Sequence, residues 1–383
     1  MRRRMKIALA LVEALLIPAV CAGCWSYHEV ETYSIVAGMA IDKGENGYKY
    51  HVTMECVKIA GGGDQSATKP LVLEADGNSI FDAIRSTLRE SDKKLYFNHC
   101  EIVIISSDIA KEGIKLIMDL LKRDAELRIT MDVLVSKEKT AGEILRVTPQ
   151  SGQILSYQIN NTLGEQASYY GSLPGVQIYE ITNALNAEGM SLTLPAIEKK
   201  EVEGEETVQI SGGAVFQSDK QVGWLSSSQA KYYAFLVDTI KGGLLLTGPT
   251  PGSTQVCLEI QESDTKIQPI ISGDTVTMQV TVDMKAAFGE QISETDYLSD
   301  VGIEGVQKNA ERTIEYGITD VVKSVQQQFN TDIFGFGNTI YKNMPEQWSR
   351  LKPKWNEMFK TVPVQVSAHV KIENTGLDLP KVR

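Results

Sequence analysis

Residues 306–329, VQKNAERTIEYGITDVVKSVQQQF, contain the longest amphipathic pattern in the chain. Apolar side chains recur along it every three or four positions, so they share one face of a helix. These side chains are Val306, Ala310, Ile314, Ile318, Val321, Val325 and Phe329. The pattern predicts a helix near 298–330 whose apolar stripe packs against a core and does not hold a cofactor.

The C-terminal part of the chain also contains a strongly alternating segment. In residues 361–372, TVPVQVSAHVKI, apolar and polar residues alternate without a break up to Ile372. A period of two is typical of a strand with one buried face. Between residues 207 and 298 the patterns predict strands at 208–217, 221–225, 255–261, 266–271 and 275–286, a helix at 226–241 and a loop at 242–254.

The first half of the chain shows a regular succession of strand and helix patterns. Residues 48–56 alternate as a half-buried strand, and Asn46-Gly47 before them indicates a hairpin with a strand at 34–41. The patterns then predict a helix from Ser79, a strand at 101–106, a helix at 114–121, a strand at 127–135, a helix at 140–146, a helix at 174–187 and a strand at 191–197. Such alternation indicates a layered domain in which helices cover a sheet.

The length of 383 residues is too great for one core and indicates two or three domains. Residues 198–207 contain five Glu and two Lys and are predicted to form a linker. We therefore predict an N-terminal domain at 24–197 and a C-terminal region at 208–383, the latter with possible subdomains 208–262 and 263–383. The expected fold class is α+β, with mixed sheets packed against helices and a lipoprotein signal peptide in front.

The first 23 residues have the layout of an export signal. Four basic residues precede a mostly apolar run at 7–20, and the small residues Ala22-Gly23 follow it. The run is shorter than a membrane-spanning helix requires. A Cys directly after Ala-Gly is where a bacterial lipoprotein signal is cut and the new N-terminus is diacylated. Lipidation of Cys24 is the expected outcome, and an uncleaved anchor or a plain secreted form are the alternatives.

Charge and cysteine content restrict the classes of function. The net charge is −11, and removal of residues 1–23 takes away more basic than acidic residues. An acidic chain of this kind argues against binding to nucleic acid and leaves the lipid anchor as the expected membrane contact. The three cysteines after Cys24 are far apart in sequence, and Cys56 and Cys100 continue apolar patterns. They are predicted to be core thiols without chemistry.

The sequence offers no constellation that is typical of catalysis. The four histidines, His28, His51, His99 and His369, have no metal-ligand spacing, and none of the common nucleophile, phosphate-loop or zinc-protease motifs is present. We therefore expect a protein that binds or scaffolds, without catalytic residues, metal or cofactor, and not an enzyme.

Several segments together resemble one known family. They are Gly23-Cys24-Trp25, Ala40-Ile41-Asp42-Lys43, LYFNHCE at 95–101, DLLKRDAELR at 119–128, Gly213-Ala214-Val215-Phe216 with Gly223-Trp224-Leu225, and DIFGFG at 332–337 followed by Trp348 and Trp355. In this order they resemble the Ger(x)C lipoproteins, the C subunits of nutrient germinant receptors in endospore-forming bacteria.

The resemblance implies a three-domain α+β protein that is lipid-anchored on the outer face of the spore inner membrane. It also implies two integral membrane partners, the A and B subunits of the receptor, and a role in nutrient-triggered germination. It leaves direct binding of a germinant open. The alternative functions are a solute-binding lipoprotein of an importer, for which two similar lobes would be expected, and a surface hydrolase.

Overall fold

The computed structural model describes most of the chain as a mixture of helices and β-sheets. The described residues are 2, 3, 5–7, 33–57, 70–89, 93–149, 152–250, 252–273, 275–292, 297 and 300–374. The predicted signal peptide and Cys24 lie outside them, apart from a few residues near the N-terminus. None of the helices in these ranges combines the length and the apolar character that are needed to cross a bilayer.

The larger of the two sheets contains nine strands among the described residues and forms from the first two-thirds of the chain. Along the sheet the order is β3-β2-β1-β5-β6-β7-β8-β9, and the short β4 also pairs with β1. Strands β1, β4, β5, β6 and β7 run parallel, whereas β2, β3, β8 and β9 are added by antiparallel hairpins. The strands are β1 (Tyr33–Lys43), β2 (Tyr50–Val57), β3 (Pro70–Gly77), β4 (Lys94–Tyr96), β5 (Ile102–Ser106), β6 (Asp132–Ser136), β7 (Thr193–Val202), β8 (Glu205–Gln217) and β9 (Lys220–Leu225).

Helices cover both faces of this sheet, so its central strands are buried on both sides. On one face lie α1 (Ile80–Ser86), α2 (Ser107–Glu112), α3 (Lys115–Arg123) and α6 (Ile178–Asn186). On the other lie α4 (Gly142–Leu145) and α5 (Leu155–Tyr169). All five residues of β5 are buried, as expected for a strand at the centre of three layers.

Two buried carboxylates from the sheet fix the helices of the second face. Asp42, at the end of β1, accepts hydrogen bonds from the backbone N–H groups of Ala141 and Gly142 at the start of α4. Glu55, in β2, accepts them from the N–H groups of Leu155 and Ser156 at the start of α5. A negative charge at a helix N-terminus pairs with otherwise unsatisfied N–H groups and with the helix dipole. These contacts anchor α4 and α5 to the two strands.

The second sheet contains four strands in the order β10-β11-β12-β13 among the described residues. Its strands are β10 (Gly243–Thr247), β11 (Val256–Ser272), β12 (Thr275–Gln291) and β13 (Val364–Asn374), and the last pairs parallel with β12. The helices of this part are α7 (Ser227–Leu236), α8 (Asp300–Gln328), α9 (Phe336–Asn343), α10 (Pro345–Leu351) and α11 (Trp355–Phe359). The apolar stripe of α8 packs against the sheet in one continuous core, which confirms the predicted helix and its role.

Side chains of α8 also satisfy the free edge of β13. The N–H groups of Ala368, Val370 and Ile372 donate to Glu315, Glu311 and Gln307, at 3.1, 3.1 and 2.9 Å. An open strand edge is otherwise a template for pairing with another chain. The helix therefore covers the core with one face and closes the sheet edge with a neighbouring row of acceptors.

The predicted fold class of mixed sheets packed against helices is confirmed. The prediction that residues 198–207 form an unstructured linker is wrong. Residues 198–207 form the end of the β7–β8 hairpin, with Lys199 opposite Val208 and Val202 opposite Glu205. Glu203 and Gly204 both have positive φ, at 54° and 84°, as a tight two-residue turn requires. The acidic residues are exposed on paired strands and do not form an unstructured connection.

The structure also changes the expected position of the boundary. Strands β8 and β9 continue the larger sheet, so the two sheets separate after β9 and not at residue 208. The possible subdomain boundary at 262/263 falls inside β11. The two sheets differ in strand number and order, which is not the pair of similar lobes that the solute-binding alternative implies.

Several elements were not predicted from the sequence. Helix α5 lies in the region 150–173, where the periodicity is weak, and β3 follows a segment rich in glycine. Strand β10 occupies part of the predicted loop 242–254, and α7 is shorter than the predicted helix 226–241.

Replacing both Glu311 and Glu315 by Ala tests the role of α8 at the sheet edge. The change leaves two strand N–H groups without their acceptors, and each such loss costs about 1–3 kcal/mol. We expect the free energy of unfolding, measured in urea, to fall by about 2–5 kcal/mol. Glu304→Ala, an exposed position of the same helix, is the control and should change it by less than about 0.5 kcal/mol. Equal losses in the two proteins would contradict the proposed edge contact.

Candidate functional site

The segment between α8 and α9 lies where the two sheets meet. Its Asp332 is 5% exposed, and its carboxylate accepts hydrogen bonds from the backbone N–H groups of Phe334, Phe336 and Gly337 at 3.2, 3.2 and 2.8 Å. The indole N–H of Trp355 donates a fourth, at 3.0 Å. The carboxylate of Asp332 thus closes the loop before α9 and binds Trp355 of α11.

Two glycines make this tight loop possible. Gly335 has a φ of 72°, which glycine adopts without the strain that other residues incur. At Gly337 a Cβ would lie 2.7 Å from the indole nitrogen of Trp355 and 2.8 Å from the ring of Trp348. The rings of Phe334 and Phe336 are buried beside each other with their centroids 5.3 Å apart. Residues 332–337 thus form a glycine-dependent turn beside two packed Phe rings.

The same loop is bonded to the segment that precedes β7. The N–H of Ser191 donates to the carbonyl of Asp332 at 2.7 Å, and the hydroxyl of Thr331 donates to that of Ser191 at 2.7 Å. Close by, the carboxylate of Glu188 accepts the indole N–H of Trp348 at 2.7 Å and pairs with Lys352 at 2.6 Å. These contacts join residues 188–191, which lead into β7 of the larger sheet, to the loop at 331–337 and the C-terminal helices. We call this region the junction.

The pKa values of the two acids of the junction are shifted in opposite directions, because burial dominates at Asp332 and hydrogen bonding dominates at Glu188. Burial raises the pKa of Asp332 to about 6, and its hydrogen bonds from Gly337 and Trp355 oppose that rise. The pKa of the half-buried Glu188 is lowered by its hydrogen bonds with Lys352 and Trp348. Asp332 is therefore the junction residue that responds to pH in the weakly acidic range.

A polar groove of about 430 Å³ lies over the junction. Its walls include Lys115 at the start of α3, Asp219 in the β8–β9 turn, and Asn356 in α11, and its floor includes Asp332 and Trp355. The acceptor positions of Asp332 are occupied by the four donors described above. The groove therefore has the chemistry of a polar contact surface, in which charges of both signs are available to a partner.

Other residues singled out from the sequence lie apart from this junction. His51 is half-buried and contacts two acids, with Nδ1 2.9 Å from Asp76 and Nε2 3.5 Å from Glu74. The exposed His99 lies beside the ring of Tyr96, with centroids 6.0 Å apart. Within the described ranges no group of His, Cys, Asp and Glu has the arrangement of a metal site.

Cys56 and Cys100 behave as predicted from their apolar surroundings. Cys56 and Cys100 are buried, and Cys257 is partly buried; all three are free thiols. Burial raises the pKa of Cys56 and of Cys100 to about 12, so neither is a reactive thiolate at neutral pH. Cys24 lies outside the described residues.

Sequence reasoning identified one side of the junction and missed the other. DIFGFG and the two tryptophans were recognised as a unit, whereas Glu188 and Ser191 were not. The separation of 160 positions between Glu188 and Trp348 explains why no local pattern revealed the pair. Gly189 has a φ of 68° in the structure. In the sequence, the glycine after Glu188 was the local indication of a tight turn.

Comparisons with known proteins give a consistent result over almost the whole chain. Residues 26–199 match the family model "Spore germination protein N-terminal domain". Residues 211–376 match the model "Spore germination B3/GerAC like, C-terminal". The two matches meet at the β7–β8 hairpin.

Individual proteins of Bacillus subtilis (strain 168) are similar along their full length. The chain is 27% identical to spore germination protein KC over 399 residues, which cover 98% of this chain and 97% of that protein. It is 23% identical to spore germination protein B3, with 94% of this chain and 96% of that protein covered. A solved structure, the crystal structure of the GerBC protein, is similar in fold, with a TM-score of 0.59 and 18% identity over 90% of this chain and 100% of that one.

The raised pKa of Asp332 predicts how stability at the junction depends on pH. The folded protein binds this proton more tightly than the unfolded chain, so the contribution of Asp332 is largest below about pH 4 and declines as pH rises through about 6. The difference in unfolding free energy between wild type and Asp332→Asn should therefore shrink by roughly 2–3 kcal/mol between about pH 4 and pH 7.

Urea unfolding across this pH range measures the effect. Asp219→Asn, in the same groove but without hydrogen bonds to the buried loop, is the matched control. A difference from wild type that is independent of pH in both variants would show that Asp332 does not titrate in this range.

Proposed function

Because the chain belongs to the GerAC-like family of spore germination proteins, we propose that it is the C subunit of a nutrient germinant receptor. The observation that carries the proposal is the match of both family models, in order, to residues 26–199 and 211–376. Full-length similarity to the spore germination proteins KC and B3 supports it. In this role the chain works with integral membrane A and B subunits to trigger germination in response to nutrients.

The proposed role is one of binding and not of catalysis. The most elaborate polar arrangement in the described structure, around Asp332, uses its carboxylate to hold a loop and a tryptophan. That is a structural task, and it supports a rigid body that presents surfaces to partners. The polar groove over the junction, with Lys115 and Asp219 on its walls, is one surface that such a partner would contact.

We further propose that residues 1–23 are removed and that Cys24 carries the lipid that holds the protein at the outer face of the spore inner membrane. The support is the order of basic, apolar and small residues before Cys24. Two acyl chains give an anchor strong enough to retain an acidic domain that has little attraction of its own for anionic lipid. We also retain the division into two units, with its boundary after β9 in place of residue 208.

Fractionation of a Cys24→Ser variant tests the anchor. Without the thiol no thioether-linked lipid can form, so the variant should leave the membrane fraction whereas wild type remains in it. Cys257→Ser, which removes a different partly buried thiol, should fractionate as wild type. Retention of the Cys24→Ser protein in the membrane fraction would exclude the lipid as its anchor.

Germination assays on spores that lack this protein test the receptor role. Such spores should lose the response to particular nutrients, because the receptor is incomplete, and should still respond to a trigger that bypasses receptors. Complementation with wild type should restore the nutrient response. Normal germination in every nutrient mixture, in a strain without a redundant relative, would disprove the proposal and favour the solute-binding alternative.

A further inference from the structure

The short sequence distance between Cys24 and β1 limits how a protein anchored at Cys24 sits on a membrane. Strand β1 starts at Tyr33, nine positions after Cys24. Nine residues span at most about 32 Å even when fully extended. The far end of β1, at Lys43, lies about 33 Å further along the strand. A protein held by Cys24 therefore keeps the Tyr33 end of β1 within about 32 Å of the bilayer surface.

The parallel strands place several loops at that same end of the sheet. Strand β4 pairs with the start of β1, with Lys94 opposite Tyr33. Strands β5 and β6 run in the same direction, and the N–H of Asp132 bonds to the carbonyl of Glu101 where they begin. Strands β5 and β6 begin opposite Gly38, further along β1, but the loop before β6 extends back to the start of β1, where Glu126 pairs with Lys94. The N-terminal ends of β1 and β4 and this loop thus form one edge of the domain.

Aromatic and apolar side chains project from this edge. The rings of Tyr33 and Tyr96 are 5.5 Å apart, and His99 continues the row. Leu88, Ile129 and Tyr179 are 46%, 45% and 41% exposed, and the N–H of Tyr179 bonds to the carbonyl of Ile129. We call these six residues the tether edge. Amphipathic aromatic rings such as Tyr are favoured at the boundary between lipid and water.

The charged side chains around the tether edge form ion pairs that favour a position at the membrane surface. Four cations here are matched by acids: Arg85 and Lys94 both lie near Glu126, Arg128 lies near Glu101, and Arg123 pairs with Asp119. These pairs neutralise Glu126, Glu101 and Asp119 in a chain that is acidic overall. Repulsion from anionic headgroups is therefore reduced at the edge, and the long basic side chains can extend along the interface.

We propose that the tether edge rests on the bilayer surface, so that the protein docks in one orientation and does not move freely on its lipid anchor. The inference rests on the proposed anchoring at Cys24. In this orientation the β1–β2 turn, at the far end of β1, points away from the membrane. The occupant of the tether edge is the lipid interface itself.

Site-specific fluorescence tests the orientation without depending on natural lipidation. The mature chain, with six histidines in place of Cys24, is bound to vesicles of phosphatidylglycerol and phosphatidylcholine that contain a nickel-chelating lipid. In a Cys257→Ser background, a small fluorophore is attached to Ile129→Cys or Leu88→Cys. Leu116→Cys is the matched control, because Leu116 is 72% exposed in the first turn of α3, near the Glu112–Lys43 pair at the far end of β1.

Lipids that carry a quencher at the headgroup boundary should quench the fluorophore at positions 129 and 88 by about twofold or more relative to position 116, because the interfacial layer is only about 5–10 Å deep. Equal quenching at all three positions would overturn the proposal. Stronger quenching at position 116 would indicate the reverse orientation and overturn it as well. Circular dichroism of the labelled proteins verifies that each is folded.

A second variant asks whether the side chains themselves contribute. Leu88→Ser with Ile129→Ser should make quenching of a fluorophore at Tyr179→Cys fall towards the level found at position 116. Unchanged quenching would show that the apolar side chains do not dock. Since the anchor is artificial, these outcomes are independent of the Cys24→Ser fractionation, which tests the proposed function.

Discussion

The buried carboxylate of Asp332 is the interaction on which the connection between the two sheets depends. Its four hydrogen bonds close the loop after α8 and fix Trp355. The main chain of the same residue accepts the N–H of Ser191, just before β7 begins. An ionisable group in this position is costly to bury, and its hydrogen bonds offset that cost. The arrangement of α9, α10 and α11 relative to the larger sheet follows from this one residue and its neighbours.

Elements whose pattern is local were predicted well from the sequence. The stripe of α8 and the alternation of β13 each report directly which face is buried, and both lie where they were expected. Helix α5 was missed although Leu155, Ile159 and Leu163 recur every four residues, because these three are the only large aliphatic residues in a fifteen-residue helix and a glycine, Gly164, follows them. Its position is set largely by Glu55, about 100 residues earlier in the chain, and no window of sequence contains both.

The acidic hairpin illustrates a different limit. Composition indicated a linker at 198–207, since five Glu in ten residues are unfavourable for a buried strand. The strands nevertheless pair there, with Lys199 near both Glu143 and Glu206 at 3.2 and 3.5 Å. The junction was likewise recognised only in part. The DIFGFG segment was identified together with Trp348 and Trp355, but its partners at 188–191 and the capping role of Asp42 depend on contacts between residues 100 or more positions apart.

The contact between α8 and the edge of β13 also fixes the alignment of the last strand. Successive acceptors on the helix, Gln307, Glu311 and Glu315, are four residues apart and so rise about 6 Å each time. Outward N–H groups on the strand recur every two residues, about 6.6 Å apart. The spacing of the acceptors along the helix therefore nearly equals the spacing of the outward N–H groups along the strand. A slip of one residue would turn every N–H group away from its acceptor, and a slip of two would leave one acceptor empty. The contacts with α8 on one side of β13 therefore select the same register as its pairing with β12 on the other side.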